Sequence, residues 1–326
     1  MILPSYASSL SIAAVGDILL HTPLQRHGLK SGFASLWKPV SPLIKQADIS
    51  YANLEGPVVK DSKPSSFPMF NFPYGIIPAL KKSGFDLVST ANNHSLDRFS
   101  KGINKTLAAL HNNGVQFTGT RTIHAPKNPW YTVVEKNGIS TAWLACTQDT
   151  NGIRDKYHQV LYCYKDKKEI IKLVKQLKQK YDAVIITPHW GIQYQSKPTR
   201  RQRWFAKLLL EAGAIAIIGS HPHCLQPIQR YTTKDGRNGL IAYSLGNFIS
   251  NQGSLKNRVS GVLSFQLLKK EGSTRIESIQ FHPTYMLNRR GKMVLTLIKN
   301  SKSLAYRHAK KIIGTTYTCD TSKCKL

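Results

Sequence analysis

The chain alternates apolar, β-branched runs with segments of helical spacing. "SIAAVGD" (11–17), "ADISYANLE" (47–55), "FDLVSTANNH" (85–94), "YDAVIITPHW" (181–190) and "AIAIIGSHPH" (214–223) each read as a short buried strand that stops at Asp, Glu, Asn or His. Between them, "PALKKSG", "KGINKTLAALHNNG", "DKKEIIKLVKQLKQKY" and "RRQRWFAKLLLEAG" carry apolar residues at three- and four-residue intervals and read as helices. This alternation predicts an α/β layered architecture. From residue 239 the pattern changes: "GLIAYSLGNFIS", "SGVLSFQLLKK" and "TRIESIQFHPTYML" read as successive antiparallel strands of a second sheet, followed by a closing helix in "KSLAYRHAKKIIG". "PSSFPMFNFPYGIIP", from Pro64 to Pro78, is the most loop-like stretch, and its aromatics either rim a cleft or cover an edge of the core. With no internal repeat, low-complexity linker or hinge, the expected organisation is a tail over 1–10, one domain over 11–300, and a C-terminal helix and tail over 301–326.

The strand ends supply the candidate chemistry. Asp17, Glu55, Asn93, His94, His189, His221 and His223 all fall where an apolar run stops, which is where α/β proteins place their reactive groups. In an extended segment residues two apart face the same side, so His221 and His223 are expected to face one point. Each residue alone has a structural reading: Asp17 a loop cap, Glu55 a surface acid, Asn93 a turn residue, His189 a core imidazole. Together, carboxylate, amide oxygen and imidazole form a ligand set suited to Mn, Fe, Zn, Mg or Ca rather than to thiolate-loving metals. Two divalent ions bridged by one carboxylate would use that many ligands. Such a pair positions and deprotonates a water and stabilises an in-line displacement at phosphorus.

Composition adds a preference for anions. The 326 residues, 41% of them hydrophobic, suffice for a sizeable core, and 46 Lys and Arg against 17 Asp and Glu give a net charge of +29. Nucleic acid, an anionic surface polymer or an acidic membrane face would suit that field; a dispersed, solvated basic surface accounts for it as well. No stretch approaches the apolar length of a membrane-spanning helix. Among five cysteines, Cys319 and Cys324 are spaced for a short terminal disulfide, whereas Cys146, Cys163 and Cys224 read as buried free thiols. The opening lacks a basic n-region, yet "PSYASSLS" has the small-residue character of a cleavage zone. Export to the cell envelope is therefore the expectation, with the cytoplasm as the alternative.

"AVGDILL", "ANLEGPV", "FDLVSTANNHSLD", "TPHWG", "GSHPH" and "YSLGNF" occur in this order, and together they resemble the CapA (PgsA-like) family of poly-γ-glutamate capsule proteins over residues 11 to 250. The resemblance implies a calcineurin-like metallophosphatase fold, a sandwich of two packed mixed β-sheets flanked by helices. It also implies roles: Asp17 and His223 on a first metal, Glu55 bridging, and Asn93, His189 and His221 on a second. His94 would contact the scissile phosphate and protonate the leaving group, and Asp97 would either orient His94 or cap a helix. Asn247 would line the cleft or, as the preferred reading, stabilise a turn. One departure stands out: many metallophosphatases begin Asp-x-His, whereas here Leu19 stands two places after Asp17 and His21 two places further on. The implied function is metal-dependent phosphoesterase chemistry linked to an anionic envelope polymer, with capsule-synthesis membrane proteins as partners. A non-catalytic polymer-binding protein with a degenerate metal site and a metal-dependent nuclease are the alternatives; no nucleic-acid recognition motif accompanies the charge.

Overall fold

The computed structural model describes residues 7–289 and 292–319. Strands β1 (Ser8–Ile18), β2 (Ile49–Leu54), β3 (Leu87–Ser89) and β4 (Gln116–Thr118) lie side by side and parallel. The chain then leaves that sheet. β5 (Tyr131–Lys136) and β6 (Ile139–Thr147) form a hairpin through Asn137 and Gly138, both at positive φ, as a tight two-residue turn requires. β7 (Ala183–His189) and β8 (Ala216–Ile218) extend it in parallel, and a second hairpin, β9 (Ile228–Thr232) with β10 (Asn238–Ala242), completes a six-stranded sheet in the order β5-β6-β7-β8-β10-β9. β11 (Asn247–Ile249) returns to the end of β1 on the side away from β2, and β12 (Val259–Lys270), β13 (Ser273–Arg289) and β14 (Lys292–Leu297) add antiparallel strands on that same side. The result is an eight-stranded sheet in the order β14-β13-β12-β1-β2-β3-β4, with β11 on β1.

Three apolar layers hold the sandwich. Between the sheets, Leu10, Ile12 and Tyr51 meet Trp143, Ile185 and Ile218, with Tyr51 stacked on Trp143 at 5.5 Å between ring centroids. Outside the large sheet lie α1 (Thr22–Ser31), α2 (Ser41–Gln46), α3 (Ile76–Lys82) and α4 (Phe99–Asn112). Outside the small sheet lie α5 (Lys167–Lys180) and α6 (Arg200–Ala212), the latter started by a capping box between Thr199 and Gln202. A short α7 (Leu255–Arg258) precedes β12, and α8 (Leu304–Ile313) buries Tyr306, Ala309 and Ile313 in the central layer.

The two-sheet sandwich and the helices α3 to α6 are as the sequence predicts; α1 and α2 are additional, and the second sheet is built differently. Residues 239–250 are no single strand: β10 belongs to the small sheet and β11 to the large one, and the chain crosses between them at residues 243–246. The later strands widen the first sheet, and the second is built from β5 to β10. The crossing depends on glycine. A Cβ on Gly16 would stand 1.8 Å from the Gly246 carbonyl oxygen, so only two bare backbones pack there.

Cys146 and Cys163 form a disulfide, correcting the expectation of free thiols. Both sulfurs are fully buried in the apolar layer under α5, and apolar surroundings suit a cystine as well as they suit thiols. Cys224 is the buried free thiol expected. The expected Cys319–Cys324 bridge involves Cys324, which, like residues 1–6 of the expected tail, lies outside the described residues.

Candidate metal centre

The parallel strands of both sheets end at one edge of the sandwich. Asp17 ends β1, Glu55 follows β2, and Asn93 and His94 occupy the turn after β3; across the interface, His189 ends β7, and His221 and His223 follow β8. A register shift between Ala14 and Asp17 in the pairing of β1 with β2 marks where β1 departs from regular pleating. The two histidines after β8 do not reach the site by strand alternation. β8 stops at Ile218, and both residues have positive φ, 97° for His221 and 55° for His223. Side chains rarely adopt that conformation, and the surroundings impose it. Asn257 Nδ2 donates to the His223 carbonyl at 2.8 Å, and Tyr194 N donates to the Pro222 carbonyl at 2.8 Å. Upstream, a Cβ on Gly219 would lie 2.1 Å from the Tyr243 carbonyl oxygen, which leaves glycine as the residue that lets this loop leave the sheet.

All six predicted ligands converge. Asn93 Oδ1 is 2.8 Å from His189 Nε2, which is 3.0 Å from His221 Nδ1 and 3.5 Å from Glu55 Oε1. On the other side of Glu55, Oε1 is 3.6 Å from His223 Nε2, and His223 Nδ1 is 3.2 Å from Asp17 Oδ2. Two overlapping groups result, Glu55 with His189 and His221, and Glu55 with Asp17 and His223; within each, one ligand atom per residue lies within 4.8 Å of the others. Glu55 is the shared member. Its carboxylate is fully buried and neither oxygen has a hydrogen-bond partner among the described residues. Ionising a buried carboxyl that accepts no hydrogen bond costs on the order of several kcal/mol, so the group either keeps its proton or takes a cation in this place.

The electrostatics follow from burial and proximity. Burial pushes the Glu55 carboxyl up to about 8. It also pushes His189 down to about 3, and burial together with the neighbouring imidazoles holds His221 well below its ordinary value. Both rings are therefore neutral, as ligation requires. At His223 burial opposes the charge, but the Glu55 and Asp17 carboxylates overcome it and push the ring up to about 9. Burial would raise Asp17 too, yet the hydrogen bond and charge of His223 hold it below its ordinary value. A buried carboxyl that keeps its proton up to about 8, beside an imidazole that keeps its own up to about 9, marks a site short of positive charge. A divalent cation of the oxygen- and nitrogen-liking kind fits this donor set.

His94 stands beside the two groups rather than in them. Its Nδ1 is 2.7 Å from Asp97 Oδ2, the same oxygen accepts from Phe70 N at 2.6 Å, and the Phe70 ring meets the His94 ring edge-on at 4.7 Å. Asp97 thus orients His94 and caps no helix: the residue before α4 is Arg98, with no side-chain cap. Phe70 both covers the core and walls the site, so the two readings of the Pro64–Pro78 stretch merge. His21 does not replace the imidazole missing at Leu19. It belongs to neither ligand group, its Nδ1 accepts from Asn251 N at 3.3 Å, and burial pushes it down to about 4.

Sequence reasoning passed over the groups that hold the ligands. Asn53 Nδ2 donates to Asp17 Oδ1 at 2.8 Å and lies 3.3 Å from His189 Nδ1, while Ser220 Oγ is 2.9 Å from that same nitrogen. Asn247 meets both of its readings: its Oδ1 is 3.0 Å from His223 Nδ1, lining the site, and its Nδ2 holds the following loop by donating to Gln252 Oε1 and the Asn257 carbonyl, each at 3.0 Å. Asn151 reaches in from the loop after β6, with Oδ1 accepting from Asn93 Nδ2 at 3.1 Å. Asn53 and Asn247 lie inside the motifs "ANLEGPV" and "YSLGNF", a signal that was present; nothing in the sequence around Asn151 points to the site.

Two packed mixed sheets with outer helices, and a buried carboxylate, amide and imidazole cluster at their common edge, define a metallophosphatase-like sandwich. A phosphatase from Mycoplasma pneumoniae has a similar fold, with a TM-score of 0.52 at 14% identity, covering 88% of this chain and 97% of that one. The chain belongs to the family described as bacterial capsule synthesis protein PGA_cap, which matches residues 11–252. It is 30% identical over 273 residues to the PGA biosynthesis protein CapA of Bacillus subtilis (strain 168), spanning 82% of this chain and 70% of that protein. It is likewise 30% identical over 274 residues to the capsule biosynthesis protein CapA of Bacillus anthracis, spanning 79% of this chain and 64% of that protein. Among the described residues, no helix is long and apolar enough to cross a membrane.

Proposed function

We propose that this capsule-synthesis family member is a metal-dependent phosphoesterase acting at the cell envelope in the assembly of an anionic, poly-γ-glutamate-like polymer. The observation that carries the reading is Glu55: a fully buried carboxylate with both oxygens unpartnered, reached from two sides by His189 and His223. In this reading Glu55 bridges two divalent ions, Asp17 and His223 hold the first, and Asn93, His189 and His221 hold the second. When bound, the ions supply Lewis acidity and lower the pKa of water toward neutrality.

The chain's own groups do the rest. Asn53 and Ser220 set the orientation of the His189 ring and Asn247 that of His223, as outer partners of metal-binding imidazoles do. Asp97 accepts from His94 Nδ1 and leaves Nε2 to hold a proton for the leaving-group oxygen. The buried Phe70 ring keeps water from that face of His94. Export and contact with membrane-bound capsule-synthesis proteins belong to the same reading and rest on the family.

The test is elemental analysis of the full chain purified without chelator, alongside turnover of a simple aryl phosphodiester. About two divalent ions per chain with metal-dependent turnover supports the proposal. Metal without turnover supports instead a polymer-binding protein with a structural metal site, the reading that Leu19 in place of the usual imidazole favours. Salt-sensitive binding and cleavage of nucleic acid would favour the nuclease.

A further inference from the structure

We infer that the outer face of α5 and α6 is a docking track for an extended polyanionic chain, specifically a polycarboxylate; this rests on the polymer-assembly reading above and deepens it. The two helices pack side by side over one face of the small sheet and bury Ile170, Val174 and Leu177 on α5 and Phe205, Leu209 and Leu210 on α6. What they leave exposed is two rows of cations: Lys168, Lys172 and Lys175 on α5, and Arg200, Arg203 and Lys207 on α6. Within a row the charges follow one another by three or four residues, about 5 Å along the helix axis, so each row presents one side of its helix.

Among the described residues, none of these six has a carboxylate within ion-pairing distance. The two acids within the helices are engaged elsewhere. Glu169 accepts from Trp130 Nε1 at 2.9 Å, and Glu211 accepts from the Tyr231 hydroxyl at 2.7 Å. The like charges repel one another. Arg203 donates to the Pro198 carbonyl at 2.7 Å and Lys207 Nζ lies 5.6 Å from the Tyr231 ring, but no acid among the described residues neutralises any of the six. A partner with regularly spaced negative charge would.

The track leads to the metal centre. β6, β7 and β8 are parallel neighbours, and α5 and α6 are the crossovers that join them, so each helix starts at the edge where the strands end. That is the edge of Glu55 and His189. At this end the helices are laced together by aromatic contacts: Lys167 Nζ lies 4.9 Å from the Trp204 ring, and the Arg201 guanidinium lies 3.7 Å from the Tyr164 ring. A flexible chain laid along the rows would therefore arrive beside the site. A lipid surface fits less well. Trp204, 46% exposed, is the one large apolar side chain of these two helices that is substantially exposed, whereas a membrane-seated helix pair presents an apolar stripe among its cations.

The experiment uses fluorescently labelled poly-γ-glutamate of defined length and measures its anisotropy with the full chain at about 50 and about 200 mM salt, the range over which counterion release is read. The variants are Lys168→Glu/Lys172→Glu/Lys175→Glu, Arg200→Glu/Arg203→Glu/Lys207→Glu, and a control reversal on other faces, Lys30→Glu/Lys101→Glu/Lys310→Glu. Each track variant is expected to weaken binding at least tenfold and to flatten the salt dependence, with the control within twofold of the parent. Unchanged binding in the track variants, or an equal loss in the control, overturns the inference. Loss of binding to vesicles of phosphatidylcholine and phosphatidylglycerol with polymer binding intact also overturns it, in favour of a membrane surface. Metal content and aryl phosphodiester turnover, measured on the same variants, are expected to stay at parent values. Glu55→Ala is expected to lose metal and keep polymer binding, so failure of the track and failure of the metal-centre reading are separately visible.

Discussion

Removing metal should give the protein a pH-dependent stability that the loaded protein lacks. The groups responsible are Glu55, with a folded-state value near 8, and His223, near 9, against unfolded values of 4.5 and 6.5. Both are raised, so the stability they contribute is present at low pH and is lost as pH rises through the folded values. Above pH 7 the depressed His189 and His221 are neutral in both states and drop out. From pH 7 to 9 the folded metal-free chain thus holds one to two protons that the unfolded chain has released. At 1.36 kcal/mol per proton per pH unit, one proton held across the window is about 3 kcal/mol, and a second held by Glu55 to pH 8 brings the loss to about 4 kcal/mol. With an unfolding entropy of roughly 2.1 cal/mol/K per residue over 326 residues, this is a fall in Tm of about 4–6 °C. Differential scanning fluorimetry of EDTA-stripped protein from pH 7 to 9 reads it. In the metal-loaded protein the ligands are already deprotonated, and no such fall is expected. Glu55→Gln, which cannot ionise and leaves His223 with one carboxylate neighbour fewer, should cut the slope by at least half. A stripped protein whose Tm is flat across this window, or a Glu55→Gln variant with the parent slope, would refute the electrostatic account of the site.

Three further outcomes are expected. His94→Gln should retain metal by elemental analysis and lose aryl phosphodiester turnover by about 10²- to 10⁴-fold, the usual contribution of a positioned proton donor. Asn53→Ala removes the amide that joins Asp17 to His189, and competition with a chelator should show metal affinity reduced by about 10- to 100-fold. Cys146→Ser with Cys163→Ser opens a loop closed across 17 residues, and urea unfolding should show about 3 kcal/mol less stability, unless the reduced parent proves as stable as the oxidised one, which would remove the basis for the expectation.

What the sequence makes legible follows from burial. β1, β2 and β7 are covered on both faces by the sandwich and its helices, so they read as near-continuous apolar runs, and polar residues just past those runs are conspicuous. Asp17, Glu55 and His189 are legible as candidate ligands for that reason, and Asn93, His221 and His223 follow the shorter buried strands β3 and β8 in the same way. β5 and β9 are edge strands, mostly half-buried or exposed, and their weak alternation conceals two hairpins although Asn137-Gly138 and Asp235-Gly236 mark the turns. The assignment of β10 and β11 to different sheets is invisible to hydrophobicity, because both are buried whichever sheet they join. Nor does spacing reveal how His221 and His223 meet: they do so through left-handed backbone fixed by Tyr194 and Asn257, residues 29 to 34 positions away from one histidine or the other.

Asp17, Glu55 and Asn93 come from the large sheet, and His189, His221 and His223 from the small one. The candidate ion site therefore exists only when two separately woven halves are seated correctly, and a slip of one residue in either half would carry its side chains away from those of the other. Metal binding here would consequently serve as an internal proofreading step: a chain whose halves are misaligned would have nothing with which to hold an ion, and would stay as loose as its apolar layers alone allow. A polypeptide that reaches its working place before meeting the ion would be sealed there, on arrival, by the same atoms that equip it for its task.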